Sequence, residues 1–317
     1  MPSLLLLFEL KAVQVQQIQE LIPDWTIVTG SPDQISHEQY LEAEVVCGWN
    51  ATMGKILETE GSKLKWVQTS SAGVDKLPLD RLKSLGIQLS SASGIHPASM
   101  TETLFAMLLS FSRNLHHAIR HQSQQQWQPS ERYHLLSGKT MGIIGVGAIG
   151  EEFARIAVAF GMRTIGVRRS SLPSSNVEKM YGIDQLKEVL SQSDVVVNVL
   201  PYTEETHHLF DKERLGWIRP GALFFNMGRG PSVDTDALIQ ALENGSLAGA
   251  GLDVFETEPL PADHPLWKLD NVIITPHIGG WTDNYKQRVA DILMDNLKAY
   301  LAVGKPERNV VNLERSY

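Results

Sequence analysis

Cys47 is the only cysteine in 317 residues. No internal disulfide can form, and a structural zinc site built on thiolates is excluded, as suits a reducing compartment. An excess of positive charge is missing as well: 28 basic against 36 acidic side chains leave a formal charge of −8. A general attraction to nucleic acid or to an anionic membrane is therefore not expected. Long apolar runs are also absent. The stretch nearest to a secretion signal, MPSLLLLFEL, has no basic residue ahead of its apolar run and meets Glu9 at once. It reads as a buried strand, and no later run approaches the length of a membrane span. There are no repeats and no low-complexity segments. With 43% hydrophobic and 20% charged residues, the chain reads as globular, cytoplasmic and long enough for two domains.

What is present is alternation. Short apolar runs at Leu4–Phe8, Trp25–Val28, Val45–Gly48, Lys65–Gln68 and Ile87–Ser90 are separated by helical patterns such as Ala12–Leu21. A helical stretch from about Ala98 to Arg120 follows, then the polar segment HQSQQQWQPSERYHLLSGK. Strand patterns resume at Met141–Ile144, Arg163–Val167, Val195–Val199, Ala222–Asn226, Ala248–Leu252 and Val272–Thr275, and a last helical pattern covers Asp283–Leu301. Such alternation predicts an α/β chain of parallel sheets covered on both faces. The expected division is a substrate-binding domain of residues 1–93 plus 282–317 and a dinucleotide-binding domain of residues 94–281.

The segment TMGIIGVGAIGEEFARIAVAFGMRTIGVRR carries Gly145-x-Gly147-x-x-Gly150 between a strand pattern and a helix pattern. In that context the glycines predict a phosphate loop. Gly145 permits the turn, Gly147 lets backbone approach a pyrophosphate, and Gly150 lets helix and strand pack closely. The N–H groups at the helix start, around Ala148 and Ile149, complete the anion site. The second strand ends about twenty residues later, where an NAD-binding chain usually carries an acid for the ribose 2′-OH. Here the chain has Arg168, Arg169, Ser170 and Ser171. A guanidinium binds a 2′-phosphate through two parallel hydrogen bonds, so NADP is the expected cofactor, with NAD as the alternative. A solvated loop in which the arginines do nothing specific is the competing reading.

Three later strand patterns end in polar residues: Arg229 after Ala222–Asn226, Asp253 followed by Glu258 after Ala248–Leu252, and His277 after Val272–Thr275. Ligands of open parallel sheets lie beyond the carboxyl ends of the strands, so these residues are expected to converge. No metal is expected.

The motifs SSAGVD (70–75), GKTMGIIGVGAIG (138–150), LPYTEET (200–206), NMGRGPSVDTDAL (226–238), LDVFETEP (252–259) and TPHIGG (275–280) resemble, in order, those of the D-2-hydroxyacid dehydrogenases. The likeness is to the branch with glyoxylate/hydroxypyruvate reductases and phosphoglycerate dehydrogenases. The resemblance implies two doubly wound domains, flavodoxin-like for substrate and Rossmann for cofactor, and reversible hydride transfer between NADP(H) and a small 2-keto acid. It implies that Arg229 binds the substrate carboxylate and keto oxygen, that His277 is the acid–base group, and that Glu258 supports its imidazolium. Backbone N–H groups of Ala72, Gly73 and Val74 would cradle the carboxylate. Asp253 would hold the nicotinamide carboxamide, and Pro201, Thr206, Met227 and Gly228 join the cofactor residues. A homodimer through about residues 98–136 is implied too, with Trp127 either reaching the neighbour's active site or buried in the interface.

Phosphoglycerate-type relatives carry an Arg-Ser-x-Thr stretch where this chain has GWNATMG, residues 48–54, and no regulatory domain is expected after Tyr317. Trp49 and Met53 suggest apolar pocket walls, although Lys55 leaves a phosphorylated substrate and NAD-linked activity open. A nucleotide-sensing binding module without turnover is the other function class. The set Arg229, Glu258 and His277 argues against it.

Overall fold

A computed structural model describes residues 1–129, 133–170 and 172–314. Ser171, an expected phosphate donor, and residues 130–132 of the expected arm lie outside the described residues. The chain divides into two compact units, Met1–Ile95 with Thr282–Tyr317, and His96–Trp281.

In the first unit the apolar runs become β1 (Ser3–Leu6), β2 (Thr26–Thr29), β3 (Val45–Cys47), β4 (Trp66–Gln68) and β5 (Gln88–Ser90). All pair in parallel in the order β2-β1-β3-β4-β5, the order of flavodoxin-like sheets. Helices α1 (Ala12–Leu21), α2 (His37–Glu42), α3 (Ala51–Ile56) and α4 (Leu79–Ser84) make the crossovers. Because side chains alternate across a strand, Leu5, Val46 and Val67 enter one core with Tyr40, Met53 and Leu82. Leu4, Leu6, Val45 and Trp66 enter another with Ile18, Leu293 and Leu297. Met53 is fully buried in the first of these cores. It is therefore packing and not a pocket wall, which corrects the expectation drawn from its place after Trp49.

The second unit begins with α5 (Pro97–Ser112) and α6 (Leu115–Ser123). One continuous helix was expected from Ala98 to Arg120. The break falls at Asn114, whose φ of 53° is left-handed, a conformation that ends a helix and that asparagine tolerates better than most residues. The sheet runs β12-β11-β10-β9-β6-β7-β8, built from β6 (Thr140–Ile144), β7 (Arg163–Val167), β8 (Lys179–Tyr181), β9 (Val195–Asn198), β10 (Ala222–Asn226), β11 (Leu247–Leu252) and β12 (Val272–Ile274). Strand order reverses between β6 and β9, the switch point at which such sheets bind ligands. Helices α7 (Ala148–Ala159), α8 (Leu186–Gln192), α9 (Lys212–Leu215) and α10 (Thr235–Glu243) follow their strands. The last helix, α11 (Tyr285–Val303), belongs to the first unit. Met141 and Ile143 pack with Leu104, Leu108 and Phe153 on one face of the sheet. Ile144, Val196 and Phe224 pack with Val189 and Leu238 on the other. Among the described residues no helix is long and apolar enough to cross a membrane.

Candidate active site

The phosphate loop forms where the strand β6 stops. Gly145 has φ 108°, and a Cβ there would come within 3.0 Å of the Leu200 amide nitrogen, so both conformation and contact require glycine. Gly147 caps α7 without a side chain, and nothing lies within 4 Å of where its Cβ would stand. The first N–H groups of a helix have no intrahelical acceptor. Those of Ala148 and Ile149 therefore stand at the positive end of the helix dipole, next to the space left by Gly147. At Gly150 a Cβ would stand 2.7 Å from the Gly145 carbonyl oxygen, which is the close helix–strand approach expected of the third glycine. These residues fit a dinucleotide pyrophosphate.

At the end of β7, the Arg168 N–H donates to the Tyr181 carbonyl at 3.1 Å, and its guanidinium lies 3.7 Å from Glu151. Arg169 lies 3.5 Å from Glu205, and Ser170 is exposed beside it. Thr206 Oγ1 bonds the Pro201 carbonyl at 2.9 Å and accepts the Thr203 N–H at 2.8 Å, so these two expected cofactor residues meet in one turn. Gly228 packs on the same loop, since a Cβ there would come within 2.7 Å of the Leu200 carbonyl oxygen. Met227 is buried.

Arg229 rests on a polar network that its position in the sequence does not announce. Buried Asn198 donates to Asn226 Oδ1 at 3.0 Å and to Ser232 Oγ at 2.7 Å. Asn226 Nδ2 and Ser232 Oγ both donate to the Arg229 carbonyl. The Arg229 guanidinium donates to the Gly228 carbonyl at 2.9 Å. Asn198 and Ser232 are thus supporting residues that reasoning from the sequence missed. The available signal was polar residues at the ends of otherwise apolar strands.

His277 Nδ1 and Glu258 Oε2 are 2.9 Å apart, and the other Glu258 oxygen accepts the Phe255 N–H at 3.1 Å. His277 itself has φ 54°. Its turn is held by buried Asp253, which accepts from Thr275 Oγ1 at 2.6 Å and from the N–H groups of Ile278 and Gly279 at 3.0 Å each. A carboxylate offers about four acceptor positions, so one remains on Oδ2. The loop carrying Glu258 is fastened in turn by Glu256, which meets His208 Nε2 at 2.7 Å and the Thr235 N–H at 3.0 Å. Burial alone would raise the Glu256 pKa, but the bonds from Thr235 and His208 outweigh it and hold the carboxyl below its usual range. The imidazole contact and a backbone donor together therefore fix the Glu258 carboxylate beside the His277 ring.

The expected carboxylate cradle lies in the first unit, after β4. Thr69 Oγ1 donates to the Ser71 carbonyl at 2.6 Å, Ser71 Oγ to the Gly73 carbonyl at 2.8 Å, and Tyr285 to the Ser70 carbonyl at 2.6 Å. Val74 is buried beneath the turn, while Ala72 and Gly73 are half-exposed. The carbonyls of Ser70, Ser71 and Gly73 thus all accept hydrogen bonds.

Comparison with known proteins bears on the family of the chain. Residues 105–279 match the family model described as D-isomer specific 2-hydroxyacid dehydrogenase, NAD binding domain. A glyoxylate/hydroxypyruvate reductase B of Escherichia fergusonii is 33% identical over 322 residues, covering 98% of each chain. A D-isomer specific 2-hydroxyacid dehydrogenase family protein of Aeromonas salmonicida superposes with a TM-score of 0.88 at 36% identity, over 98% of this chain and 99% of that one. A D-isomer specific 2-hydroxyacid dehydrogenase of Xanthobacter autotrophicus, solved with NADPH and MES, does so at 0.84 and 27% identity, over 99% of each chain.

Proposed function

This chain belongs to the D-isomer specific 2-hydroxyacid dehydrogenases, and from that premise we propose that it reduces small 2-keto acids of the glyoxylate and hydroxypyruvate class with NADPH. The observation that carries the reading is the 2.9 Å bond between His277 Nδ1 and Glu258. With Nδ1 committed to a carboxylate, Nε2 is the nitrogen that serves the substrate. It donates its proton to the developing alkoxide during reduction and takes it back during oxidation. Glu258 keeps the ring oriented and balances the charge it carries when protonated.

Arg229 binds the substrate carboxylate and polarises the keto oxygen with its planar fork. The N–H groups of Ala72, Gly73 and Val74 complete the hold on the carboxylate. When bound, the nicotinamide supplies the hydride. Gly145, Gly147, Ala148, Ile149 and Gly150 hold its pyrophosphate, Pro201, Thr206, Met227 and Gly228 line its path, and the remaining acceptor on Asp253 takes the carboxamide. Arg168, Arg169 and Ser170 are assigned to the 2′-phosphate, a choice supported by the missing acid at the end of β7. The NADPH complex of the Xanthobacter protein supports it as well.

Initial rates with NADPH and NADH against glyoxylate, hydroxypyruvate and 3-phosphohydroxypyruvate test this. Fast NADPH turnover of the small acids is expected, and His277→Ala should lower kcat by roughly 100- to 10,000-fold while leaving nucleotide binding intact. Turnover that survives in His277→Ala would overturn the mechanism. Nucleotide binding without turnover in the natural chain would make it a binding module. A homodimer through about residues 98–136 belongs to the same reading, supported by exposed Leu115, Ile119, Trp127 and Leu135. Sedimentation at the mass of one chain would remove it.

A further inference from the structure

The guanidinium assigned to the 2′-phosphate already faces an anion. Arg168 Nη1 lies 3.7 Å from Glu151 Oε1, with the two side chains 34% and 32% exposed. Glu151 stands on the first turn of α7, one residue past Gly150. Its second oxygen accepts the Ser174 hydroxyl, so the carboxylate is tethered beside the arginine. The main chain of Arg168 is anchored as well, because it continues the sheet onto Tyr181. At 3.7 Å the contact is Coulombic and not a hydrogen bond. The guanidinium's paired donors are therefore screened by a negative charge without being consumed by it. The outer pair, Arg169 with Glu205, is 64% and 82% exposed and too well solvated to matter much.

We propose that Glu151 is the residue that sets the ratio of NADP to NAD use, with Ser174 as the residue that positions it. A 2′-phosphate approaching Arg168 must come close to the Glu151 carboxylate, and that repulsion subtracts from the guanidinium–phosphate attraction. An unphosphorylated ribose meets no such penalty, and its 2′-OH can donate to a carboxylate in the way it ordinarily does to a strand-end acid. The acid missing from the end of β7 is thus supplied by the neighbouring helix. The arginine and the acid together make a site that takes both cofactors, with Glu151 holding down the preference for the phosphorylated one. The proposal rests on the reading of Arg168 as the 2′-phosphate ligand.

Calorimetric titration of the cofactor-free protein with adenosine 2′,5′-bisphosphate and with 5′-AMP separates the two. Glu151→Gln is expected to tighten the bisphosphate roughly fivefold relative to 5′-AMP at low salt, with the gain shrinking as ionic strength rises. Ser174→Ala should move the ratio the same way by less. An unchanged far-ultraviolet circular dichroism spectrum and thermal midpoint show that the variants are folded. Should Glu151→Gln leave the ratio unchanged while Arg168→Ala lowers it, Glu151 has no such role and the Arg168 reading stands. Should Arg168→Ala leave the ratio unchanged, the Arg168 reading itself fails and this inference with it.

Discussion

At the scale of single residues, the same side-chain chemistry is put to different uses by its surroundings. Glu258 places one oxygen against the His277 ring, to which proton transfer is assigned in our proposal, whereas Asp253 is buried and spends three acceptor positions on holding a turn. Asp253→Asn is accordingly a severe change despite its shape. An amide has one acceptor oxygen, so its NH2 group would face either the Gly279 N–H or the donors of Thr275 and Ile278. Leaving such donors unmatched costs about 1–3 kcal/mol. A lower urea midpoint together with a fall in kcat is expected, and a variant with wild-type stability would show that the turn does not depend on the carboxylate. Cys47 is a contrasting case. Burial pushes its thiol up to about 12, and reactivity belongs to the thiolate. An aromatic disulfide reagent at pH 8 should leave the native protein unlabelled and modify one thiol per chain in denaturant. Rapid labelling of the folded chain would contradict the burial of β3.

At the scale of elements, what matters is how loops at strand ends are fastened. Glu256 ties the loop after β11 to His208 and to the start of α10. Its folded pKa is depressed by the bonds from Thr235 and His208, which exceed the opposing effect of burial. A depressed carboxyl contributes stability above its unfolded value, and that contribution is lost as pH falls through the folded one. Glu256→Gln should therefore cost about 1 kcal/mol near neutral pH, with the difference from the natural chain vanishing below the carboxylate range. Denaturation curves taken from pH 7 down to pH 2 check this, and a cost undiminished at the acid end of the series would mean the clamp is not ionic. The same elements show where sequence reasoning succeeds and where it stops. Gly145, Gly147 and Gly150 were legible because turn, open cap and close packing each demand glycine. The network of Asn198, Asn226 and Ser232 was not legible, since its partners are 28 and 34 residues apart and no local pattern links them. The helix break at Asn114 was hidden because apolar spacing continues across it through Leu115 and Ile119. The strand β8 escaped notice because Lys179–Tyr181 is short and pairs only with β7.

At the scale of the whole molecule, each unit has its own sheet and its own pair of cores. Alternation in the sequence predicted the parallel sheets, but their order came with the family likeness, because strand order depends on pairings between distant segments. Every residue assigned to the dinucleotide lies in the unit His96–Trp281. A ligand stabilises only what it binds, by RT ln(1 + [L]/Kd). With cores that open independently, nucleotide at about 100 times its Kd should slow the most protected amides of that unit roughly 100-fold in hydrogen exchange. The slowest amides of the first unit, at Leu4–Leu6 and Val45–Cys47, should keep their rates. Equal slowing in both sheets would instead mean that the cores unfold as one cooperative body, so that nucleotide bound to one unit stabilises both.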